Sequence, residues 1–99
     1  MSWIKLAKAK ESLRVEIQTL SNLRRAYLAS MENRGYIAEN SLPKDDGSKD
    51  ITLNFVLSFD NEEDLYKEIR GLKPNLENLR KKLKDNFTVI RLYKRKTGE

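Results

Sequence analysis

The sequence predicts an α+β domain. It would have a long N-terminal helix, a small two- to three-stranded, mostly antiparallel sheet, and a second, kinked helix between the last two strands. Three observations predict it. Residues 2–34 contain neither Gly nor Pro and are rich in Ala, Leu, Lys, Arg and Glu, all good helix formers. Ile51, Leu53, Phe55, Leu57 and Phe59 alternate with Thr52, Asn54, Val56 and Ser58, the period-two pattern of a strand with one buried face. Leu65, Ile69, Leu72, Leu76, Leu79 and Leu83 then step by four and three residues, the stripe of an amphipathic helix.

The segment 2–34 reads as one helix, with Ser2 as its N-cap and Gly35 as the left-handed residue that ends it. At ~1.5 Å per residue it would extend ~50 Å, beyond the reach of the remaining chain. Trp3, Leu6, Lys10, Leu13, Ile17, Leu20, Arg24, Tyr27 and Met31 follow alternating steps of three and four, the rhythm of a coiled-coil seam. Ala7, Leu23 and Leu28 widen that stripe. The helix could lay it on its own sheet or pair its distal half with another chain. The pairing reading makes Trp3, Leu6, Leu13, Ile17, Leu20 and Tyr27 an assembly surface and predicts a homodimer.

The rest follows in order. Tyr36-Ile37-Ala38 reads as a short strand, and 40–50 as an acidic, turn-rich connection containing Pro43, Asp45, Asp46 and Gly47. After the 51–59 strand, Asp60 or Asn61 caps a helix over 62–84. Glu62, Glu63 and Asp64 lie in its first turn, and Gly71 and Pro74 predict a kink near Leu72-Lys73. A last strand over 87–94 carries apolar residues on both faces, which predicts cover on both sides. The basic tail 94–99 has nothing apolar to bury and reads as a loose end. The strand–helix–strand run 51–94 fits an antiparallel arrangement or a right-handed parallel crossover. All of 1–99 reads as a single domain.

Composition excludes several chemistries. The 99 residues include no Cys and no His, so neither a thiolate site nor a conventional Ser-His-Asp triad can be assembled. The four glycines are isolated, which leaves no phosphate-cradling loop. Asp45, Asp46 and Asp50 lack the spacing of a calcium loop. Glu62, Glu63 and Asp64 are accounted for by a helix N-terminus. Catalytic, cofactor and metal residues are therefore expected to be none. Without an apolar run near ~20 residues, no membrane span is expected. A cytoplasmic protein is the expectation.

Charge is the remaining signal. The net charge is +5, distributed as +4 over 1–35, −3 over 36–60, +1 over 61–85 and +3 over 86–99. Basic ends around an acidic middle suit an acidic partner surface. The function this predicts is that of a non-catalytic interaction protein, an accessory regulator, inhibitor or adaptor of a larger complex. The alternative is nucleic-acid binding through Lys8, Arg24, Arg25, Arg91, Tyr93, Lys94, Arg95 and Lys96, where Tyr93 among cations could stack on a base. On a helix Lys8 and Arg24 point nearly opposite ways, so such binding should be weak and salt-sensitive.

Overall fold

The structure, a computed structural model, describes residues 10–39 and 49–97. Its elements in chain order are β1 (Lys10–Leu20), a 3-10 turn (Ser21–Leu23), α1 (Arg24–Asn33), β2 (Ile37–Ala38), β3 (Asp50–Phe59), α2 (Glu62–Lys82) and β4 (Val89–Thr97). One four-stranded sheet has the order β2-β3-β1-β4, and every neighbouring pair is antiparallel. Each βαβ unit is thus split by a strand of the other, the strand order and directions of a ferredoxin-like sheet.

The long N-terminal helix is overturned, because a strand precedes the first helix. Of 2–34, the portion 2–9 lies outside the described residues, Lys10–Leu20 is a strand, and among the described residues the α-helix is Arg24–Asn33. The physical reason lies in a second rhythm. Leu13, Val15, Ile17 and Thr19 are all buried, while Arg14, Glu16 and Gln18 point to the other face. Leu13 and Ile17 satisfy both a helical and a period-two spacing; Val15, β-branched and outside the seam, satisfies only the second. Pairing on both sides, with β3 and β4, outweighs a local helix preference worth tenths of a kcal/mol per residue.

The sheet also has four strands where two or three were expected. β3 and β4 each run antiparallel to β1, which lies between them, so α2 links two parallel strands that never touch. β4 extends to Thr97, pairing Lys94 with Leu13, Arg95 with Ser12 and Lys96 with Glu11. Residues 94–97, read from sequence as part of a loose end, are therefore sheet, and 98–99 lie outside the described residues. Nor is β4 covered on both sides, since Val89 and Tyr93 are exposed.

Both helices pack on one face of the sheet. The core joins Leu13, Val15 and Ile17 of β1 and Leu53 and Phe55 of β3 to Tyr27 and Met31 of α1 and Leu65, Leu72 and Leu76 of α2. α1 stops as Gly35 enters the left-handed region at φ 92°. Its N–H donates to the Glu32 carbonyl at 2.9 Å, and that of Tyr36 to the Met31 carbonyl at 3.0 Å, a Schellman stop. α2 starts on Asn61, whose side chain accepts from the Asp64 N–H at 2.8 Å, with acidic residues in its first turn and Arg80, Lys81 and Lys82 in its last. It runs continuously through Gly71 and Pro74 from Glu62 to Lys82.

Candidate interaction surface

Side chains alternate across the sheet, so among the described residues the helices leave its other face open. The register places Ile37, Val56, Arg14 and Tyr93 in one row across all four strands, and Asn54, Glu16 and Arg91 in the next. The Arg14 guanidinium lies 4.1 Å from the centre of the Tyr93 ring. Arg14 also donates to Asn54 Oδ1 at 2.8 Å. Arg91 donates to Glu16 at 3.0 Å and to Gln18 at 2.6 Å. Glu39 reaches Arg95 at 3.7 Å and Arg14 at 4.0 Å. Such exposed pairs contribute little stability each, up to about 1 kcal/mol. Their main effect is on the field: Glu16 and Glu39 offset the cations among which they sit.

The sheet has two unlike edges. β2 offers two residues, whereas β4 offers nine on the outer side of the sheet order. Edge strands present unpaired N–H and C=O groups to any passing strand. On the helix side of β4, half-buried Ile90 and Leu92 form the floor of a groove against α2. Its volume is about 480 Å³, and Lys73, Pro74, Leu76, Glu77 and Arg80 complete the lining. β4 carries Arg91, Lys94, Arg95 and Lys96 and no acidic residue. Lys94 Nζ lies 2.9 Å from the Tyr66 hydroxyl and 4.6 Å from its ring centre, and that hydroxyl raises the lysine's pKa. Lys96 approaches Glu11 at 4.0 Å.

Of the residues singled out from sequence, Trp3, Leu6 and Lys8 lie outside the described residues. Leu13, Ile17 and Tyr27 are fully buried in the chain's own core and Leu20 is half-buried, so these four form no free assembly face. Arg24 and Arg25 open α1 and belong to no strand of the sheet. Arg91, Tyr93 and Arg95 share the open face, while Lys94 and Lys96 alternate to the helix side. The structure thus splits one sequence cluster over two faces. Arg14, Glu16, Lys73, Ile90 and Leu92 were missed as surface residues. The alternation in 12–19 was the signal available for the first two; nothing local marks the groove.

One buried polar cluster was also unforeseen. Asp85 is 3% exposed. It accepts from the Thr19 hydroxyl at 2.9 Å, the Tyr27 hydroxyl at 3.1 Å, and the N–H groups of Phe87 and Thr88 at 3.0 and 3.2 Å. Thr88 Oγ1 lies 2.7 Å from Thr19 Oγ1. Four donors occupy the carboxylate, as a buried charge requires, and together they pin the turn into β4. Among the described residues no group of three or more acidic side chains is placed to hold a metal ion. Asp45 and Asp46 lie outside those residues. Among them, too, no helix is long and apolar enough to cross a membrane.

No protein-family model, curated protein or solved structure matches the chain. A split-βαβ sheet serves many unrelated activities, so the surface itself must carry the functional argument.

Proposed function

We propose that this chain is a non-catalytic binding module for another protein, an accessory regulator, inhibitor or adaptor whose working surface is the β4 side of the sheet. The observation that supports it is the long outer strand β4 standing beside an apolar-floored groove. Ordinary edges are kept short or covered; among the described residues this one is long, outermost, flanked by a hollow and rimmed by cations.

A photoreactive amino acid at Lys73 or Val89, both exposed, tests the reading in host extract. Protein adducts that resist nuclease are expected from both positions, with none from the same group at exposed Glu32 on α1. Adducts arising only from position 32, or vanishing with nuclease, would overturn it.

A second reading has one specific support. Arg14 stacked on Tyr93, with Arg91 and Arg95 alongside, resembles a platform for a single-stranded base. Glu16 and Glu39 within it disfavour a phosphate backbone. Binding to a thymidine octamer across a salt series measures this reading; it should be weak and fall steeply with salt.

A further inference from the structure

Building on that reading, we infer that the partner presents an extended peptide of alternating acidic and apolar residues, which adds to β4 as a fifth strand.

The strand geometry sets the alternation. A chain laid beside β4 turns every second side chain to the helix side, over Ile90, Leu92 and the groove, and the others to the open face beside Arg91 and Arg95. The groove has an apolar floor and accepts aliphatic side chains. The open face offers Arg91 with 47% and Arg95 with 57% of their side chains exposed. Each can exchange or share its present glutamate with an incoming one, in the cross-strand position where opposite charges attract. One strand that satisfies both sides is amphipathic with period two.

Charge also selects among the other occupants. A second copy would bring β4 onto β4, cation against cation; in a pairing centred on Tyr93, Arg91 faces Arg95. Like charges directly opposite destabilise a strand pair. The same cations that discourage self-pairing therefore favour an acidic strand. Nucleic acid gains the charge but leaves the groove and the main-chain groups of β4 unused.

The test uses the isotopically labelled full chain and a blocked heptapeptide alternating Glu and Val. Controls are the same peptide with Lys for Glu, two N-methylated versions (methylated at the Val or at the Glu residues), and a thymidine octamer. The expected result is slowed exchange at alternate amides of β4, and binding that weakens about tenfold between low and moderate salt. The Lys peptide should not bind. One N-methylated peptide should fail and the other bind, because only one set of amides faces β4. Arg95→Glu should weaken binding several-fold while the spectrum stays folded.

Equal binding of both N-methylated peptides, equal binding of the Lys peptide, or a thymidine octamer binding more tightly would overturn strand addition. So would sedimentation showing a second copy on β4. If the peptide fails while adducts persist at position 73, the peptide class falls and the binding module stands. If both fail, both readings fall.

Discussion

The hydroxyl of Tyr27, on the second turn of α1, lies 3.1 Å from Oδ2 of Asp85, at the turn that leads into β4. It joins segments separated by 58 positions in the chain. Tyr27 is fully buried, and the hydroxyl is one of four donors on a nearly inaccessible carboxylate. Replacing Tyr27 by Phe keeps the ring and removes the donor. A hydrogen bond to a charged group contributes about 1.5–3 kcal/mol, and the three remaining donors keep the loss near the lower figure. Urea denaturation should show a midpoint shift at unchanged slope.

Lys84 ends α2 in the left-handed region, at φ 56°. Its N–H donates to the Lys81 carbonyl and the Asp85 N–H to the Arg80 carbonyl, both at 3.0 Å, the same stop that Gly35 makes for α1. A side chain with a Cβ is disfavoured there by roughly 1 kcal/mol. Lys84→Gly should stabilise the fold by about 0.5–1 kcal/mol, since Gly also loses more freedom on folding. A lowered thermal midpoint would show that the lysine makes a compensating contact.

Deleting residues 94–99 should lower the melting temperature. The deletion removes the partners of Leu13, Ser12, Glu11 and Lys10 on β1, and Leu13 is wholly buried. A cost of roughly 1–2 kcal/mol corresponds to about 4–16 °C in a domain of this size. Calorimetry decides between this and the loose tail read from sequence, for which the midpoint would not move.

Stability should also fall in alkali. Burial raises the pKa of Tyr36 well above the ordinary tyrosine value, and the Glu68 carboxylate, which accepts from its hydroxyl at 3.1 Å, adds to the rise. Burial raises Tyr27 as well, with the Thr88 hydroxyl opposing. Above about pH 10 the unfolded chain releases these protons while the folded chain keeps them. The stabilisation is therefore complete below that pH and is lost progressively above it. Tyr36→Phe should flatten the alkaline limb of a stability–pH curve; an unchanged limb would assign it to other groups.

Local physical chemistry determined much of this protein from sequence alone. The 51–59 alternation specified β3, the leucine stripe with Asn61 and its acidic first turn specified α2, and Gly35 specified the end of α1. These signals need only neighbours in the chain. The content of Lys10–Leu20 was different, because Leu13 and Ile17 fit either period and good helix formers surround them. Only two flanking strands, contributed by residues some 30 to 87 positions away, resolve that choice in favour of a strand.

The same holds for the surface. Residues 91–96 read as one basic cluster, but strand geometry sends Arg91, Tyr93 and Arg95 to one face and Lys94 and Lys96 to the other. The groove exists because α2 returns the chain past β1 and leaves β4 outermost, bringing Lys73 and Pro74 beside Ile90 and Leu92. Charge and apolarity were legible residue by residue. Which of them share a face is a property of strand order and register, which arise from pairing between distant segments.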